Sequence, residues 1–136
     1  MFLFVGQQLR GGQKMDMIGC EPLSCPSFTK GKYAYDHGDM ARMTPLIKMH
    51  TLGSDFLPPA NHSGGLRYHG MSYHLSHLYD LGLMRAKAYG QKDCVEAGVI
   101  FGKQEGIIPA PEGNHAVKGA IDAALECKEK GESKTI

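Results

Sequence analysis

The chain has 136 residues, of which 42% are hydrophobic and 21% charged, with a net charge of +1. That is enough for one domain with a modest core, in the range of ordinary globular proteins. A charge this close to zero sets up no broad field toward nucleic acid or a membrane surface, and no apolar run approaches the roughly 20 residues of a membrane span. The opening stretch MFLFVG is apolar but short, with no basic segment before it and no small-residue cleavage site after it, so it is not read as a signal peptide. The four cysteines, Cys20, Cys25, Cys94 and Cys127, form no C-x-x-C pair. They read as reduced packing thiols, which points to a cytoplasmic location. Glycine is frequent, at 18 residues without a repeat, as close backbone approaches in a cofactor-binding α/β protein would require.

In chain order, residues 1–10 read as the end of a helix stopped by Gly11-Gly12. Residues 15–20 (MDMIGC) read as a short buried strand. From Glu21 to about Thr44, prolines, glycines and mixed polar residues predict a long irregular loop. Residues 45–51 fit a strand or a short helical turn. Residues 53–70 (GSDFLPPANHSGGLRYHG) form a shaped loop, because Pro58-Pro59 forbids regular helix and Gly64-Gly65 forbids a stable strand. Met71, Leu75, Leu78 and Tyr79 then recur at helical spacing, with Ser72 as N-cap and Gly82 as stop. Alternation over residues 84–89 predicts a strand. A helix follows over 92–105, with Cys94, Gly98 and Phe101 on one face, Val95 and Val99 beside them, and Gly106 at its end. The last helix spans about Asn114 to Lys130. Val117, Ala120, Ile121, Ala124 and Leu125 form its expected buried stripe, with Lys118/Asp122 and Glu126/Lys130 as charge pairs on its wet face. This order predicts an α/β fold with a partial parallel sheet flanked by helices. Two or three strands are too few to bury both faces of such a sheet, so the segment is expected to belong to something larger.

Three loops could carry chemistry: EPLSCP, PPANHSGGLRYHG and EGIIPAPEGNH. Gly64-Gly65 allows close approach to a flat ligand, and Arg67 could clamp a carboxylate or phosphate. Glu112 could face a bound group, or could simply be a first-turn acid satisfying helix amides. His69, His74 and His77 lie close together but lack the companions and spacing of a zinc site. The chain contains no G-x-S-x-G, no P-loop and no G-x-G-x-x-G. No basic patch is interleaved with aromatics, so nucleic-acid binding has no support.

The segments IGCEPLSCP, TKGKYAYDHGD, TPLIKMHTLGSDFLPPANHSGGLRYHGMS, LSHLYDLGL and EGIIPAPEGNHAVKGAIDAAL occur in one order. Together they resemble the C-terminal half of tryptophan synthase β chains of the second type, over nearly the whole length. The resemblance implies that residues 1–136 are a partial C-terminal region, an incomplete half of a fold type II pyridoxal-phosphate enzyme. It implies a lyase of aromatic amino-acid biosynthesis that joins L-serine, or O-phosphoserine, to indole to give L-tryptophan. By the same resemblance, Glu112, Gly65 and Leu66 border the cofactor. Arg67 and Glu21 lie toward the substrate, Arg67 standing where first-type chains carry aspartate. The backbone carbonyls of Leu66, Tyr68 and Gly70 are candidate ligands of a monovalent cation. Implied partners are a second copy of the chain and an alpha-type subunit, with no nucleic acid and no membrane.

Departures from the family pattern occur at Gly113 and Asn114 after the glutamate, and at Tyr73 and Gly90, where prolines are usual. No lysine here stands in the Schiff-base motif, and the glycine-rich phosphate loop and the serine for the pyridine nitrogen are expected outside this stretch. No catalytic residue is therefore assigned within it, and the chain alone is expected to be inactive. The alternative expectation is a non-catalytic module that binds a partner chain supplying the other half of the site.

Overall fold

The computed structural model describes residues 2–136, so Met1 of the first predicted helix lies outside the described residues. The elements in chain order are α1 (Phe2–Leu9), β1 (Ile18–Pro22), β2 (Lys32–His37), β3 (Leu46–Thr51), a 3-10 turn (Gly64–Leu66), α2 (Tyr73–Asp80), β4 (Arg85–Tyr89), α3 (Gln91–Glu105) and α4 (Gly113–Lys130). The fold is α/β. Its central sheet is the parallel pair β1–β4, in a register that sets Ile18 opposite Arg85 and Pro22 opposite Tyr89. Helix α4 packs on both of these strands and on α3. Val5, Phe28, Leu78 and Met84 form a core cluster, with Met17, Met71, Leu75, Tyr79 and Ala86 against it. Among the described residues, no helix is long and apolar enough to cross a membrane.

The first strand begins three residues later than its sequence signal, because Met15–Met17 lead into the pairing with β4 and only the Met17 carbonyl accepts a bond, from Arg85 N–H. A larger correction concerns residues 21–44, which are not one irregular loop. Residues 32–37 form β2, which pairs antiparallel with β3, setting Lys32 opposite Thr51 and His37 opposite Leu46. This settles residues 45–51 as strand. Polar Lys32, Asp36 and His37 hide β2 in the sequence, since a half-covered strand needs few apolar residues. The hairpin loop is closed by the Asp39 carboxylate, which accepts bonds from Met43 N–H, Thr44 N–H and the Thr44 hydroxyl at 2.7–3.1 Å.

Helix α2 starts after Ser72 as expected, but the Ser72 hydroxyl makes no capping bond. Helices α3 and α4 end at Gly106 and Gly131, whose φ values of 70° and 64° lie in the left-handed region that favours glycine. On α3 the buried residues are Cys94, Ala97 and Gly98, while Val95 and Val99 stand about half exposed. The buried side of α4 is Asn114, His115 and Gly119, so the predicted stripe is corrected as well. Close approach decides the face: a Cβ on Gly119 would stand 2.5 Å from Cys20 Sγ, and one on Gly98 would stand 2.3 Å from Asn114 Oδ1. The small residues let α4 lie against β1 and α3. The side with Lys118 and Asp122 therefore faces the sheet, and Ala120, Ala124 and Leu125 stay exposed. Glu126 pairs with Lys87 of β4 at 2.7 Å, not with the predicted Lys130.

Candidate functional site

The end of β1, the loop after it and the segment 65–72 line a cavity of about 350 Å³. Its lining includes Glu21, Cys25, Gly65, Leu66, Tyr68 and Gly70. Four of the five residues predicted on the Gly65–Gly70 loop thus meet at one cavity, together with Glu21 of β1. The volume lies within the range of small-molecule sites.

Glu21 is buried, with 2% of its surface exposed. Its carboxylate accepts bonds from Phe28 N–H at 2.8 Å, Thr29 N–H at 2.9 Å and the Thr29 hydroxyl at 2.6 Å. Those three donors satisfy a buried acid that would otherwise be costly, and they fold the 22–31 loop over the end of β1. Glu21 therefore shapes the cavity floor from the inside.

Gly70 forms an isolated antiparallel bridge with Thr51. A Cβ there would stand 2.6 Å from Met49 Sδ, so the glycine is needed for the loop to lie on the hairpin. On either side, Leu52 N–H donates to the His69 carbonyl at 2.7 Å, and Met71 N–H donates to the His50 carbonyl at 2.9 Å. One end of the loop is thus sewn to β3. Tyr68 borders the cavity with its ring largely in solvent. Arg67 points away, its Nη2 donating to the Pro58 carbonyl at 2.8 Å on an exposed surface.

Glu112 lies at the end of the Ile107–Pro111 loop, immediately before α4. Its carboxylate caps no amide of α4. It crosses instead to Gly65, whose N–H donates to Oε1 at 2.8 Å. This bond holds the Glu112 carboxyl below its ordinary value. Two loops separated by 47 positions in sequence are joined here, and both belong to the three loops whose sequence suggests chemistry. Additional ties were not legible in the sequence. His62 N–H donates to Gln91 Oε1 at 3.1 Å, and the Ser63 hydroxyl lies 3.5 Å from the Pro111 carbonyl. His115 is 98% buried, with Nδ1 3.2 Å from the Pro111 carbonyl and 3.3 Å from that of Glu112. No local pattern marks such side-chain-to-backbone ties, because their partners are set by the fold.

His77 Nδ1 lies 3.5 Å from the Tyr33 hydroxyl, and the His74 ring lies 4.1 Å from that of Tyr73. His69 Nε2 lies 2.8 Å from the His37 carbonyl. Among the described residues, no three His, Cys, Asp or Glu side chains gather as metal ligands. None of the residues bordering the cavity is a lysine or an arginine.

No family model matches the chain. Individual proteins do. The chain is 54% identical over 133 residues to the tryptophan synthase beta chain 2 of Methanosarcina mazei, covering 98% of this chain and 30% of that protein. It is 52% identical over 136 residues to the protein of the same name from Methanothermobacter thermautotrophicus, covering all of this chain and 32% of the relative. It is 51% identical over 138 residues to that of Aquifex aeolicus, covering 99% and 32%. The chain spans about a third of the length of the curated relatives it matches.

Proposed function

We propose a function from one premise: this chain belongs to the tryptophan synthase beta chain family, as a segment matching about a third of it. In the complete polypeptide, the segment forms one wall of a pyridoxal-phosphate site that joins L-serine and indole into L-tryptophan. The observation that carries this reading is the contact of Glu112 with Gly65, which lines the cavity while Glu112 stands behind it. It brings together two loops that the family resemblance places beside the cofactor. The residues present fit one flank of a flat ring: Gly65 and Gly70 present backbone, and Leu66 adds an apolar side chain. They do not include a cation for the phosphate or an amine for the aldehyde, so the rest of the polypeptide has to supply both. When bound, the cofactor acts as an electron sink for the amino-acid substrate.

Gly65 and Leu66 would border the ring, with Glu112 behind Gly65. Glu21 holds the floor on which a substrate would sit. Arg67 lies outside the cavity lining and bonds the Pro58 carbonyl, so a role toward substrate rests on the family resemblance and requires the side chain to swing inward, where an anion would give a stronger, charge-assisted pair. That makes O-phosphoserine a candidate alternative to serine. Leu66, Tyr68 and Gly70 border the same cavity, and their backbone carbonyls are the proposed ligands of a monovalent cation. A second copy and an alpha-type subunit are the proposed partners of the complete protein.

The test is a chimera. The matching third of the Methanothermobacter relative is replaced by this segment, and cofactor absorbance and tryptophan formation are measured. A chimera that folds but neither holds the cofactor nor makes tryptophan would overturn the reading. In an active chimera, Arg67→Ala should change the ratio of rates on phosphoserine and serine, and an unchanged ratio removes phosphoserine from the proposal. Exchanging sodium, potassium or caesium for tetramethylammonium tests the cation.

A further inference from the structure

We propose that Glu112 is a positioning residue, a latch whose carboxylate fixes the Gly64–Leu66 turn against the α3–α4 layer. The inference rests on the reading of the cavity as a cofactor wall, and it concerns what holds that wall in place.

The turn spans three residues and buries none of them. Its internal bonds, Leu66 N–H to the Ser63 carbonyl and Arg67 N–H to the Gly64 carbonyl, shape it but do not anchor it. The C-terminal end of the loop is sewn to β3 through His69 to Met71. The N-terminal end pairs with no strand; Asn61 Nδ2 donates to Ser24 Oγ of the loop after β1 at 2.7 Å, and three further polar ties reach the α3–α4 layer. Of these three, the Gly65 bond to Glu112 is the shortest and the only one to a carboxylate, at 2.8 Å against 3.1 Å for His62 and 3.5 Å for Ser63. Charge assistance makes it the strongest of the three.

The fit is steric as well. A Cβ on Gly65 would stand 3.1 Å from Glu112 Oε1, 3.2 Å from Cγ and 3.4 Å from Cδ. The glutamate side chain therefore lies flat against the glycine backbone, and its stem fills the space a side chain would take. Glu112 is itself held from behind, since buried His115 engages its carbonyl through both backbone N–H and Nδ1. In an isolated helix, an acid at this position gains most by capping α4. Here the Asn114 and His115 amides donate to the Ala110 and Glu112 backbone carbonyls, and the carboxylate serves the loop. The contact needs an acceptor at Oε1, and the charge strengthens it.

The test uses the full-length chimera with Glu112→Gln, Glu112→Asp and Glu112→Ala, read by hydrogen exchange across residues 62–70 and by cofactor dissociation constant. Glu112→Ala should speed exchange at the Gly65 amide about tenfold, the scale of one exposed charge-assisted bond. Glu112→Gln, which keeps the acceptor, should recover most of the protection. Cofactor affinity should follow the same order. In the unaltered chimera, acidification through the Glu112 titration should raise Gly65 exchange beyond its intrinsic pH trend, which reads the latch even if Glu112→Ala does not fold. Equal exchange in the alanine variant and the parent, or a glutamine variant as unprotected as the alanine one, overturns the latch. Exchange is measurable without cofactor, so failure of the cofactor reading would show separately, as normal latch behaviour in a protein that binds none.

Discussion

Glycines 31 and 64 show how far a single methyl can be resolved by its surroundings. A Cβ on Gly31 would stand 2.1 Å from the Ser27 carbonyl oxygen and 2.9 Å from that of Thr51. Both obstacles are backbone, fixed by the 22–31 loop and by β3, so neither can rotate away. Gly31→Ala should destabilise the fold by about 3 kcal/mol, the upper range of overpacking, as measured by urea unfolding of the chimera. Gly64 has open space around its Cβ position, so Gly64→Ala should change stability by only about 0.5 kcal/mol. His50 is a different case. Its ring is stacked on Tyr33 at 5.0 Å, meets Tyr79 edge-on at 5.0 Å, and has no hydrogen-bond partner at either nitrogen. Burial pushes its pKa below the ordinary 6.5, against the opposing influence of the Asp80 charge, the nearby Gly31 backbone, which lies outside hydrogen-bond geometry, and the Glu21 charge. Above that value both folded and unfolded chains hold the ring neutral, and stability is unaffected. As pH falls below it, the unfolded chain takes up a proton that the folded ring resists, so stability declines until the folded group titrates too. Thermal melts from pH 7.5 to 5 should show this decline, and His50→Phe should flatten the part of it due to this ring. A slope unchanged by the substitution would show that the acid sensitivity lies elsewhere.

Helix α4 carries the clearest lesson at the scale of elements. Its apolar stripe predicts a burial face, and the chain buries the other side. The Lys118–Asp122 pair, at 2.5 Å, has about three quarters of each side chain covered, and Lys87–Glu126 lies beside it. Burial pushes the Asp122 carboxyl up, but the hydrogen bond and charge of the Lys118 ammonium outweigh it and leave it below its ordinary value. The stabilisation from Asp122 is therefore present above the ordinary carboxylate range and is lost as pH falls through the depressed pKa. Asp122→Ala should cost about 1–2 kcal/mol in the chimera, between the values for surface and buried pairs, and adding Lys118→Ala should cost little more. Helix positions were legible because their period and glycine stops are local signals. The buried face of α4 was not, because it depends on Gly119 meeting Cys20, which is known only once β1 is in place. The β2–β3 hairpin was missed for a related reason, as its polar residues resemble a loop until their partners are known. At the site, the resemblance supplied Gly65 and Glu112, but their contact, and the roles of Ser63 and His115, required the fold.

The surface of the whole molecule shows what the segment leaves open. Among the described residues the parallel sheet has two strands, so each strand presents one edge with no neighbouring strand. Val95, Val99 and Ile100 on α3, Ile107 and Ile108 after it, and Leu125 on α4 are all between 46% and 92% exposed. Apolar side chains this numerous on two adjacent helices and their connecting loop exceed the scattered exposure of an ordinary monomer. Edges and apolar faces of this kind pair with whatever meets them first. Produced by itself, the segment should therefore self-associate: light scattering should give a mass well above 14.8 kDa, and a hydrophobic dye should bind at low ionic strength. Val99→Lys with Ile108→Lys should reduce both signals, because each places a charge within the exposed patch. In the chimera the same pair of substitutions should lower the melting temperature if the relative's remaining length covers this face. A soluble monomer with a cooperative melt and no dye binding would show that the open face is tolerated, and the case for a covering partner at α3 and α4 would fall.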